Sequence, residues 1–202
     1  QLVASLGTDA QALPVIIADA GDEEALAQLC ARARVVVSTV GPYALHGETL
    51  VRVCSRSGTD YCDLSGEAHW VRRMIDRYAG EAKRSGARIV HCCGFDSIPS
   101  DLGVWFLQQQ AVRQFGMPCR EVKMRVRAMR GAASGGTVAS IVNVVREATS
   151  DAALRRELAN PYSLCPPESA PTIRQANVRG PTFDIDFQAW SAPFVMAAIN
   201  VR

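Results

Sequence analysis

Three consecutive valines, Val35 to Val37, run into Ser38-Thr39-Val40 and then stop at Gly41-Pro42-Tyr43, and this feature limits the fold more than any other in the chain. An unbroken apolar, β-branched run does not alternate in and out of a core. It reads as a strand buried on both faces, the environment of a parallel sheet flanked by helices. The surrounding residues repeat that grammar. Val15, Ile16 and Ile17 form a similar run; Asp22 is placed to cap a helix with Glu23 and Glu24 at its positive end; Leu26, Leu29 and Cys30 recur at helical spacing. A helix is expected over 47–57, a strand at "DYCDL", a helix over 66–85 and a strand at "ARIVHCC". In the helix over 66–85, Val71, Met74, Ile75, Tyr78 and Ala82 line one stripe that should cover a sheet. Strands alternating with helices predict an α/β fold with a doubly wound parallel sheet, helices on both faces.

The pattern changes after Gly116-Met117-Pro118. Val122, Met124, Val126 and Ala128 alternate with Glu121, Lys123, Arg125 and Arg127, the period of a half-exposed antiparallel strand. A Gly-rich turn, an apolar helix "VASIVNVVREAT", a Pro-rich loop over 160–171 and strand-like "TFDIDF" and "PFVMAAINV" follow. Two units are expected: a doubly wound domain over 1–117 and a smaller α+β unit over 118–202.

Composition narrows the function. The 202 residues are 48% hydrophobic and 21% charged, enough for a sizeable core. A net charge of +2, with no basic run interleaved with aromatics, argues against nucleic acid. The 7 cysteines lie in apolar segments without C-x-x-C spacing, so they read as reduced thiols rather than a disulfide frame. His91-Cys92-Cys93 cannot converge on one ion, because alternate strand residues face opposite ways, and no metal is expected. No stretch approaches the roughly 20 apolar residues of a membrane helix and no signal segment is evident, which gives a cytoplasmic expectation with membrane-surface association as a second location. The start at Gln1, in mid-segment, suggests a piece of something longer.

Ligands of open parallel sheets sit at the carboxyl ends of the strands. Three successive strand ends here carry glycine with polar or acidic residues: Thr39 to Tyr43, Asp63 to Glu67, and Gly94 to Asp101. Thr39 offers a hydrogen bond, Gly41 close backbone approach, Pro42 a fixed turn, and Tyr43 either a flat face for a ring or a core-packed side chain. Asp96 and Ser97 double as helix caps, and Glu67 as a favourable helix start.

The blocks "STVGPYALHGETLVRVCSRSGTDYCDLSGE", "GFDSIPSDLG", "SGGTVAS" and "SAPFVMAAIN", in this order, resemble the saccharopine dehydrogenase-like oxidoreductases, in particular the branch of trans-acting enoyl reductases. The resemblance implies a Rossmann-like domain, incomplete at its N-terminus, followed by a substrate and dimerisation unit, with NADP or NAD as cofactor. By analogy Asp19 would lie near the adenine, Thr39, Val40, Gly41, Pro42 and Tyr43 along the ribose and nicotinamide, and Gly94, Phe95, Asp96 and Ser97 between cofactor and substrate. The family's glycine-rich pyrophosphate turn has no counterpart in these residues, so the piece alone is expected to be inactive.

Hydride transfer needs a positioned nicotinamide, a polarised acceptor and a proton source. Tyr43, His46, Asp96 and Ser97 are candidates for that source. The expected reaction is reduction of an enoyl or carbonyl group on a lipid- or polyketide-related substrate. The alternatives are an amino-acid dehydrogenase resembling saccharopine reductase, and a non-catalytic lipid-surface or protein-interaction module. Lys123, Arg125 and Arg127, with Arg130 nearby, form a positive stripe that either docks an acidic carrier protein or is a solvated strand face. The apolar strands after Pro181 could pair in a homodimer.

Overall fold

A computed structural model describes residues 14–95, 97–131, 134–166, 168, 170–171 and 180–193. Asp22 accepts from the amide of Ala25 and starts α1 (Glu23–Ala31), as its sequence position predicts. Then follow β1 (Val35–Ser38), the one-turn α2 (Tyr43–His46), α3 (Glu48–Ser57), β2 (Asp60–Asp63), α4 (Ala68–Ser85) and β3 (Ile89–Val90). α3 and α4 each end on a left-handed glycine, Gly58 and Gly86. The three strands are parallel and lie in chain order, with Val35 opposite Asp60 and Tyr61 opposite Ile89.

Right-handed crossovers that step in one direction put their helices on one side of the sheet. α1, α3 and α4 accordingly share one face. Leu26 and Cys30, Val51 and Cys54, and Trp70, Val71, Met74 and Tyr78 pack there against Tyr61, with Val36 and Ile89 partly buried at the edge of the cluster. The stripe expected on the 66–85 helix is this buried face. The opposite face is bare among the described residues: Val35 and Val37 remain 53% and 63% exposed. The described residues thus show helices on one face of this sheet.

The expected strand at Val15 to Ile17 is corrected. These residues are irregular and Ile17 is 94% exposed, since an extended segment becomes a strand only when a neighbour takes its amides and carbonyls.

α5 (Ile98–Phe115) follows, stopped by left-handed Gly116, with Gln108 clamping the backbone of Cys119 through both ends of its amide. Of α5 only Ala111 is buried. Residues 120–130 form no ladder, which corrects the antiparallel strand expected there. Their alternation has a different use. Lys123 pairs with Asp186 and Arg125 with Asp184, while the Arg125 guanidinium lies 5.4 Å from the centre of the Phe187 ring. The positive stripe is therefore largely neutralised within the chain, and only Arg127 and Arg130 lack an ion pair among the described residues. α6 (Gly135–Ser150) is the expected apolar helix, capped by Ser134; α7 (Ala152–Ala159) is capped by Asp151; β4 (Thr182–Asp184) and β5 (Ala189–Ser191) form an antiparallel hairpin. "TFDIDF" thus contributes only its first three residues to a strand, and "PFVMAAINV" lies outside the described residues apart from Pro193.

Candidate functional site

At the end of β1 the chain turns through a cis Gly41-Pro42 peptide into α2. Tyr43 is buried there, its ring 5.4 Å from that of Trp70. Its hydroxyl donates to the carbonyl of Ser38 at 3.0 Å and accepts from the amide of Leu64 at 3.2 Å, so it ties the end of β1 to the end of β2. Burial, above all, pushes its pKa up. The side chain takes the core-packed of its two readings and its proton is held in the fold.

The amides that open α2 point to a carboxylate from another element. Glu67, at the start of α4 and only 2% exposed, accepts from the amide of Tyr43 at 2.8 Å through one oxygen and from that of Ala44 at 2.9 Å through the other. Ser140 of α6 donates to the same carboxylate at 2.8 Å. A buried carboxylate with three donors is satisfied. The turn is therefore not an anion cradle, because the chain's own acid fills it.

A second carboxylate organises the ends of β2 and β3. Asp63 is fully buried; one oxygen accepts from the amides of Ser65 and Cys92, the other from the Tyr61 hydroxyl, and lies 2.6 Å from Nδ1 of His91. Burial, reinforced by the Asp63 charge, raises the Tyr61 pKa strongly and keeps its hydroxyl a donor. Cys92 adopts a left-handed φ of 61°, a strain for a residue with a Cβ that the Asp63 hydrogen bond offsets. The His91 ring stands edge-on to Trp70 and Tyr61.

The sequence-predicted residues are distributed along this rim. Thr39 and Val40 are exposed, Gly41 and Pro42 half-buried, and Gly94 lies against Leu64. Phe95 is exposed, as is His46 at the end of α2; Ser97 is half-buried at the start of α5 and makes no capping bond. Asp19 is exposed and holds the amide of Gly21. Asp96 lies outside the described residues. Val40, Leu64 and Phe95 are exposed apolar side chains along this ledge of strand ends, with Gly94 beside Leu64. His91 and Ser140 were not singled out as site residues by the sequence. The signal for His91 was its phase: continuing the register of β2 and β3 puts it opposite Asp63. Among the described residues no group of three potential metal ligands converges.

A turn filled by Glu67 does not suit the pyrophosphate of a dinucleotide. A parallel sheet with such a rim at its carboxyl ends defines a Rossmann-like nucleotide-binding α/β domain. Residues 4–90 match the family model described as the saccharopine dehydrogenase NADP binding domain. That match places a saccharopine dehydrogenase-type NADP binding domain in the first part of the chain. The chain is 42% identical over 204 residues to a Mycobacterium tuberculosis protein provisionally named a trans-acting enoyl reductase. It is also 40% identical over 205 residues to the trans-acting enoyl reductase of Mycobacterium bovis BCG, and 37% identical over 204 residues to that of Mycobacterium ulcerans. Each alignment takes in 98% of this chain and 49% of the relative, so the chain spans about half the length of these relatives. No solved structure matches it.

Proposed function

We propose that this chain is part of an NADPH- or NADH-dependent enoyl reductase that acts in trans on an acyl thioester presented by a carrier. The observation that carries the reading is the identity of 40–42% to trans-acting enoyl reductases over nearly the whole chain. The rim at the strand ends supports it. In this reading Thr39, Val40, Gly41, Pro42, Gly94 and Phe95 line the nicotinamide half of the cofactor, and Asp19 lies towards the adenine. The cofactor, when bound, supplies a hydride. Tyr43 and Glu67 hold the turn against which it lies, and Leu64 and Phe95 exclude water beside it. The sheet is completed into a doubly wound one, and residues 118–202 belong to a substrate and dimerisation unit. Arg127 and Arg130 are the charges left to meet an acidic carrier.

The test is a fluorescence titration of the full-length protein with NADPH and NADH, followed by cofactor consumption with a trans-2-enoyl thioester loaded on an acyl carrier protein. Saturable binding and stoichiometric formation of the saturated thioester are expected. Absence of binding to either nucleotide overturns the reading.

A further inference from the structure

The rim holds one imidazole arranged for proton transfer. Asp63 is buried and fully occupied, and one of its oxygens lies 2.6 Å from His91 Nδ1. Tyr61 donates to the same oxygen at 3.0 Å. A carboxylate in this position accepts from Nδ1–H and fixes the tautomer. His91 Nε2 is left without a hydrogen-bond partner among the described residues, and the ring keeps 7% exposure at the carboxyl end of the sheet. The left-handed backbone at Cys92 begins the loop that leads to Gly94 and Phe95 on the ledge. A strained residue beside an oriented histidine, at the end of the sheet where ligands bind, is a costly arrangement for mere packing.

From this geometry we propose that His91, doubly protonated and held through Nδ1–H by Asp63, gives its Nε2 proton in the reduction. The inference rests on the enoyl reductase reading and adds its missing acid. Hydride from the reduced nicotinamide forms a C–H bond at C3 of the enoyl thioester. The π pair of C2=C3 moves onto the thioester as an enolate. The enolate takes the Nε2 proton at C2, and neutral His91 regains a proton from water. The sum is enoyl thioester, reduced cofactor and one proton giving saturated thioester and oxidised cofactor. Asp63 is a positioning residue, and the Tyr61 hydroxyl donates to the same oxygen.

The experiment uses full-length protein, NADPH and trans-2-enoyl thioester on an acyl carrier protein, with His91→Gln, His91→Gly and Asp63→Asn. Positioned acids contribute about 10²–10⁴-fold, so the proposal expects kcat of His91→Gln to fall at least about 100-fold with NADPH affinity within a few-fold. Added imidazole should restore His91→Gly, an outcome that a structural histidine does not give. Nitrogen-15 NMR of labelled histidine, independent of turnover, should show neutral His91 as the Nδ1–H tautomer in the wild type and a mixture in Asp63→Asn. Turnover by His91→Gln within about fivefold of wild type, or a wild-type Nε2–H tautomer, overturns the assignment of His91 and leaves the enoyl reductase reading standing. Wild-type protein that binds NADPH yet leaves the thioester unreduced overturns that reading instead, and the acid with it.

Discussion

Replacing Glu67 tests whether one carboxylate holds the strand-end turn. Glu67→Ala removes the only acceptor described for the amides of Tyr43 and Ala44, at 2.8 and 2.9 Å, and for the Ser140 hydroxyl, at 2.8 Å. Each donor left buried costs about 1–3 kcal/mol. Some recovers by rotating or reaching water, so the variant should lose about 3–5 kcal/mol, a large part of the roughly 5–15 kcal/mol available to a domain. Glu67→Gln keeps a carbonyl oxygen for Tyr43 and Ser140 but sets its NH2 against the Ala44 amide, and should lose about 1–3 kcal/mol. Ser140→Ala leaves both amides satisfied and should lose about 1 kcal/mol. Urea unfolding followed by circular dichroism reads all of them at constant m. A loss below about 0.5 kcal/mol for Glu67→Ala, or equal losses for Ala and Gln, refutes the bracket, since neither fits three donors on one carboxylate.

Other outcomes follow from the same contacts. Gly47→Ala would put a Cβ 2.6 Å from Trp70 Cζ2 and 2.9 Å from the Tyr43 carbonyl, so it should destabilise by about 1–3 kcal/mol, whereas Gly66→Ala, with open space around it, should be nearly neutral in the same unfolding assay. Burial raises the pKa of Cys30 and Cys54, whose sulfurs lie 3.5 Å apart, so in native protein both should resist alkylation while Cys119 and Cys165 react, as mass spectrometry would show. Burial alone would raise the Glu48 carboxyl, but hydrogen bonds from Tyr78 and Arg77 outweigh it and hold the pKa below its ordinary 4.5. Stability from Glu48 is present above that value and lost as pH falls through the folded pKa. Glu48→Gln should therefore flatten the acid limb of stability, by less than about 1 kcal/mol because the side chain is partly solvated.

The βα grammar was legible because each segment carried its own instructions. Asp22 announced a cap, and Met74 and Tyr78 a buried stripe. Val15 to Ile17 misled for the opposite reason: strand formation depends on a neighbour that a local pattern does not contain. The alternation over 120–129 had the right period and the wrong meaning, since Lys123 and Arg125 are spaced to meet Asp184 and Asp186 from a distant hairpin. The site was legible as a rim and not as a network. Glycines at strand ends mark where a chain leaves a sheet, but that Glu67 reaches Tyr43 or Asp63 reaches His91 depends on register, which appears only once β1, β2 and β3 are laid side by side.

The sequential order of the strands also bears on how the chain acquires its shape. Among the described residues β2 is the only strand paired on both sides, and each partner is joined to it by one helical crossover. The loops that must close are short and of similar length, so their entropic barriers are modest and no distant segment has to arrive first. Residues 22–92 should therefore fold as one cooperative unit with Tyr61 at its centre. Its β2 amides should be the last in the chain to exchange with deuterated solvent, long after those of the sparsely packed α5.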